Sequence, residues 1–188
     1  MTVESGKENF RLGFLTAIEV PERGFVGGLL VTNHFGRPLE FQCTAPLKPN
    51  RAQEILYGPT LVPYVLGDLI GRTLIEKVGV KPHLILTERN DLLPMRDLVT
   101  IPVACVDEQA APEKVSPSAD RPGETEIPSE TSTCRLGRQL LRFHAAHADD
   151  QAVAQKGAAS VPHDADLREP FERVREALNE TAQTGAAR

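Results

Sequence analysis

Between residues 107 and 133 the only large apolar side chains are Val115 and Ile127, set among many Pro, Ser, Thr and Glu. A stretch so poor in groups to bury cannot offset the entropy of ordering its backbone, so it reads as a disordered linker over residues 109–133. The break divides the chain. Before it, residues 9–108 are rich in Leu, Val and Ile and long enough to close a small core, behind a flexible polar N-terminus at 1–8. After it, residues 134–188 form a tail with short apolar stripes.

Within the first part, Leu12, Phe14, Ile18 and Val20 fall at even positions, the period of a strand with one core face. Pro21 to Gly24 make a turn, Phe25–Thr32 is a second strand and Leu39–Thr44 a third. Asn33 to Arg37 join these two as a hairpin in which Gly36 is free to take a positive φ. Asn50 is placed to cap a helix at 51–57. A second helix from Thr60 to Val78 carries a wide apolar stripe through Leu61, Val65, Leu69, Leu74 and Val78. Two more strands, 81–87 and 98–106, follow. The order β-β-β-α-α-β-β predicts an α+β domain: a mixed five-stranded sheet with helices packed on one face, followed by a largely disordered tail. In its element order the chain resembles profilin-like and longin-like folds, and that resemblance implies an adaptor, scaffold or sensor.

In the tail, Leu136, Leu140, Leu141 and Phe143 suggest a short amphipathic helix at 135–147. Phe171, Val174 and Leu178 recur at i, i+3 and i+7 in a second one at 170–181. A narrow stripe on a loosely held helix suits docking in a partner's groove, so Phe171, Val174 and Leu178 are the expected partner-binding residues.

The formal charge is −5, with basic residues interspersed among acids, so nucleic acid is not the expected partner. The three cysteines, Cys43, Cys105 and Cys134, lack the paired spacing of zinc or redox motifs and form no disulfide framework. No apolar run approaches the ~18 residues of a membrane span, and a cytoplasmic setting is expected. Catalytic signatures are absent: there is no H-E-x-x-H, G-x-S-x-G or G-x-G-x-x-G. His144 and His147, with Asp149 and Asp150 close by, have a spacing that could hold a divalent metal, but their Ala-rich context reads as solvated surface. No metal, cofactor or catalytic residue is therefore assigned. Lys48, Asn50 and Arg51, at a predicted helix start, are the candidate anion ligands.

Two functions follow as expectations. The preferred one is a non-enzymatic protein–protein interaction or regulatory module, an adaptor that binds another protein or its own copy through its tail. The alternative is a small-ligand (anion or nucleotide) binding or enzymatic domain with a pocket near Gly27, Gly28, His34, Arg37, Lys48 and Arg51.

Overall fold

The first strand, β1 (Arg11–Val20), does not keep one face for water: residues 12 to 17 are all buried. Phe14 packs into one apolar cluster and its neighbour Leu15 into another, so both faces of the sheet are covered. The structure, a computed structural model, describes residues 10–107 and 132–184. The expected flexible N-terminus at 1–8 lies outside the described residues, as does the expected linker except for Ser132 and Thr133.

β1 pairs antiparallel with β2 (Gly24–Asn33) and parallel with β4 (Leu84–Thr87). β2 pairs with β3 (Pro38–Cys43) across a tight turn in which Asn33 Oδ1 accepts the backbone N–H groups of Phe35 and Arg37, each at 3.0 Å. Gly36 takes φ 79° there, as the sequence requires. β3 is an edge strand, and Leu39 and Phe41 on it are exposed rather than core.

Asn50 caps α1 (Arg51–Tyr57) through a reciprocal capping box with Gln53. A continuous helical run follows: a 3-10 turn, α2 (Leu61–Pro63), a π-helical segment Tyr64–Gly71 and α3 (Arg72–Lys77). The wider π turn rotates the buried stripe onto Leu66, Ile70 and Leu74, and leaves Leu69 only half-buried. After β4 a 3-10 helix, Asn90–Leu98, packs against this run, with Met95 seated over Gly67 and Gly71.

The sheet has seven strands in the order β3-β2-β1-β4-β5-β7-β6, with β5 at Val103–Val106, β6 at Thr133–Leu136 and β7 at Gln139–Phe143. This corrects the expected five strands: the segment read as helix 135–147 is a hairpin that extends the sheet beyond β5. The expectation of helices on one face is corrected too. The run 61–77 and Asn90–Leu98 cover one face, whereas α4 (Asp150–Ala158) and α5 (Glu169–Thr184) cover the other.

Nor is the described tail loose. Phe171, Val174 and Leu178 are 0%, 1% and 0% exposed, with Phe171 meeting Phe14 edge-on at 5.3 Å between ring centroids. Gly28 allows this docking, since a Cβ there would lie 2.9 Å from Val174 Cγ1. Gly27, pointing to the other face, does the same for Ile70, whose Cγ2 would lie 2.0 Å from an added Cβ. The two strand glycines thus receive helices on opposite faces. Among the described residues no helix is long and apolar enough to cross a membrane.

Candidate functional site

Parallel strands leave a crevice where their C-terminal ends meet the loops that follow, the usual place for a ligand in such sheets. Here β4 ends at Thr87, opposite Leu15 of β1, while β1 runs on to Val20. Thr16, Ala17 and Val106 therefore form the floor of a cleft of about 350 Å³. Glu88 and Arg89 come from the loop after β4. Phe171, Arg168 and Arg175 come from α5 and the residue before it, spaced three and four apart so that they share one side. Phe171 is buried in the core and holds the two arginines on either side of itself.

Among the described residues, three guanidinium groups and one carboxylate line this cleft. Thr16 Oγ1 donates to Glu88 Oε1 at 2.8 Å, and Arg175 forms an ion pair with the same oxygen. Hydrogen bonding to Glu88 raises the pKa of Arg175 above the usual guanidinium value. Arg89 is held at its backbone by Thr87 Oγ1 (3.1 Å) and at its tip by Asp91 (3.0 Å). Its Nε is nevertheless buried without a hydrogen-bond partner, a donor left unsatisfied inside the protein. Arg142, on β7 opposite Cys105, reaches Asn90 just beyond. Burial pushes the Cys105 thiol up, which makes it a poor nucleophile.

A phosphodiester-cleaving site that works through paired divalent cations needs several carboxylates converging on them. Among the described residues the cleft supplies one carboxylate, Glu88, which is fewer than that. A cation there would compete with Arg175 for Glu88. Among the described residues, three potential ligands of the His, Cys, Asp and Glu types converge only at Asp97, His144 and His147. That group lies elsewhere: β7 runs antiparallel to β5, so His144 leaves the sheet toward the start of β5.

The residues expected from sequence are scattered. Lys48 and Asn50 are exposed, Asn50 serves its helix cap, and Arg51 pairs with Glu54 at 3.0 Å in a helix of seven residues. Gly27 and Gly28 are filled over by helices, and His34 faces a different cleft beside Phe35 and Arg173. Arg37 is exposed in the β2–β3 connection. These six pocket residues do not meet. Sequence reasoning passed over Thr16, Glu88, Arg89, Arg168 and Arg175. The available signal was an acid and an arginine directly after an apolar strand, and two arginines seven apart astride Phe171.

No protein-family model matches the sequence, and no curated protein matches it significantly. Solved structures do match over nearly the whole chain. Endonuclease V of Ciona intestinalis, in complex with a 24mer DNA containing an inosine followed by a ribo-adenosine, aligns with a TM-score of 0.51. The identity is 10%, covering 94% of this chain and 89% of that one. Human endonuclease V has a TM-score of 0.49 at 15% identity, covering 95% and 87% of the two chains. Endonuclease V of Bacillus subtilis has a TM-score of 0.49 at 11% identity, covering 94% and 82%. At such identities the likeness to the Ciona intestinalis protein is one of fold.

That likeness replaces the profilin-like and longin-like expectation, which had five strands and helices on one face where the structure has seven strands and a second helical layer. It also overturns the reading of the chain as a non-enzymatic protein-interaction module or adaptor. The fold is shared with a nuclease, and Phe171, Val174 and Leu178, meant for a partner, are interior residues of the chain itself. The exclusion of nucleic acid as a partner is corrected with it, because the matched fold is seen there holding DNA.

Proposed function

We propose that this chain binds nucleic acid in the cleft at the ends of β1 and β4. The observation that carries this reading is the lining of the cleft, where Arg89, Arg168 and Arg175 surround Glu88, itself already paired with Arg175. Planar guanidinium forks match phosphate oxygens in geometry and charge, and such contacts fix a protein on the backbone of a nucleic acid. Thr16 holds Glu88 and Glu88 holds Arg175, so that arginine is oriented before a ligand arrives. The fold shared with a DNA-bound endonuclease V supports the same reading.

Fluorescence anisotropy with short labelled DNA and RNA, with and without inosine, tests it. Neutralising two or three phosphates should give a slope of log affinity against log salt of about −2 to −3. Replacing Arg175 by Ala should weaken binding about 10- to 100-fold, the loss of charged hydrogen bonds worth about 1.5–3 kcal/mol. Arg51→Ala, far from the cleft, should change nothing. Equal binding by wild type and an Arg89→Ala/Arg175→Ala double variant would refute the site.

A further inference from the structure

Away from that cleft, the ring of His147 and the carboxylate of Asp97 meet at 2.7 Å, and the ring of His144 lies against that of His147 with centroids 5.7 Å apart. One ligand atom from each of the three lies within 4.8 Å of the others. We propose that Asp97, His144 and His147 form a binding site for a zinc-class divalent cation, with three protein ligands and one position left for water. Independent of the cleft's function, the inference rests on three observations.

The first is the donor set. Two imidazoles and a carboxylate suit Zn²⁺ and its first-row neighbours, whereas an all-oxygen set would suit Mg²⁺ or Ca²⁺. The second is an unsatisfied atom: Nδ1 of His144 is buried with no hydrogen-bond partner, a ring nitrogen whose need a cation would meet. The third is preorganisation. Arg96, next to Asp97, is held by Asp150 at 2.6 and 3.1 Å and by the Val99 carbonyl at 2.7 Å, which fixes the end of the Asn90–Leu98 helix. On the other side, His144 follows Phe143, a fully buried β7 residue, and the His147 N–H closes a turn onto the His144 carbonyl at 2.9 Å.

Metal binding would draw in ligand atoms that now lie within 4.8 Å of one another. Tetrahedral ligands at about 2.0–2.1 Å from a metal stand roughly 3.3 Å apart, so the His147–Asp97 contact would open by about 0.6 Å. Two ligands from the β7–α4 connection and one from the Asn90–Leu98 helix would then be joined beyond the end of β7, so the cation would act as a clamp.

Zn²⁺ titration of the chelator-treated full chain by calorimetry, and Co²⁺ titration followed by visible absorption, test this. Binding of one equivalent is expected, with a Co²⁺ spectrum of nitrogen and oxygen ligation and a higher melting temperature on adding Zn²⁺. His144→Gln, His147→Gln and Asp97→Asn should each weaken binding at least about tenfold, while His163→Gln leaves it unchanged. The site is overturned if the wild-type chain shows no saturable micromolar binding. A thiolate charge-transfer band, placing the metal on cysteines, or retention of binding in the His144→Gln/His147→Gln double variant would equally overturn it. The wild-type Co²⁺ spectrum decides the question even where a variant fails to fold.

Discussion

Phe171→Ala should unfold the whole domain at a lower temperature, although the residue lies far along the chain from the strands it covers. Its side chain is fully buried, in edge-on contact with Phe14 on the central strand β1. Removing a buried Phe destabilises by about 3–5 kcal/mol, through lost transfer free energy and the cavity left behind. Within that figure the ring pair itself contributes about 0.5–1.5 kcal/mol. The site cannot collapse easily, because Val174 and Leu178 on the same helix are pinned over Gly28 by contacts near 3 Å to the position of an added Cβ. The effect therefore belongs at the upper end, about 4 kcal/mol. For a domain of this size each kcal/mol shifts the melting temperature by about 2–4 °C, so the fall should be roughly 8–16 °C. Differential scanning calorimetry measures it, with the exposed Glu180→Ala as a control that should move little. A single transition is expected. If Phe171→Ala shifts the midpoint by no more than Glu180→Ala, or if β1 amides keep full exchange protection while α5 loses it, α5 is no part of the cooperative core.

Two further outcomes follow from the same coordinates. Arg96→Ala should destabilise by about 3–5 kcal/mol in chemical denaturation, because it strands Asp150, whose side chain is 7% exposed, without its partner; Arg96→Ala combined with Asp150→Ala should recover part of that loss. His83 accepts the Arg11 backbone N–H on Nδ1 at 2.9 Å, and burial, aided by the charge of Arg11, holds its pKa below the ordinary 6.5. Its stabilising contribution is therefore complete above about pH 6.5 and is lost as pH falls through the lower folded value. An NMR titration placing His83 at or above 6.5 would refute that.

Much of the sheet was legible because its signals are local. The strand signal through Leu12, Phe14, Ile18 and Val20, the Asn33–Gly36 turn and the Asn50 cap each act within a few residues, and each element is present, although β1 is covered on both faces rather than one. The β6–β7 hairpin was misread for a physical reason. Leu136, Leu140, Leu141 and Phe143 satisfy a helical period about as well as a strand period, and the strands are only four and five residues long. The true parity runs through Gln139, Leu141 and Phe143, which requires a polar residue to be buried. Gln139 can be buried because Asp166 accepts its amide at 2.8 Å and its carbonyl accepts the Leu167 N–H at 2.9 Å. Those partners lie 27 and 28 residues away, and no local pattern announces them. The π turn in 64–71 hid the helical phase in the same way, since its register is set by packing over Met95 and the sheet.

The cleft was less legible still, and its chemistry shows why a charge total misleads. Thr16 and Glu88 are 72 residues apart and Glu88 and Arg175 are 87 apart, so no motif spacing joins them. A formal charge of −5 counts every exposed acid on the surface, but a phosphate in the cleft responds to charges within a Debye length, about 8 Å at physiological salt. Within the lining itself arginines outnumber acids three to one. Nearby acids offset part of this, since Asp91 pairs with Arg89 and Glu172 acts on Arg175, so what the site gains is a local cluster of guanidinium groups. Parallel strand ends position Glu88, and the helix built on Phe171 brings Arg168 and Arg175 to it; the fold concentrates a charge that the sequence disperses.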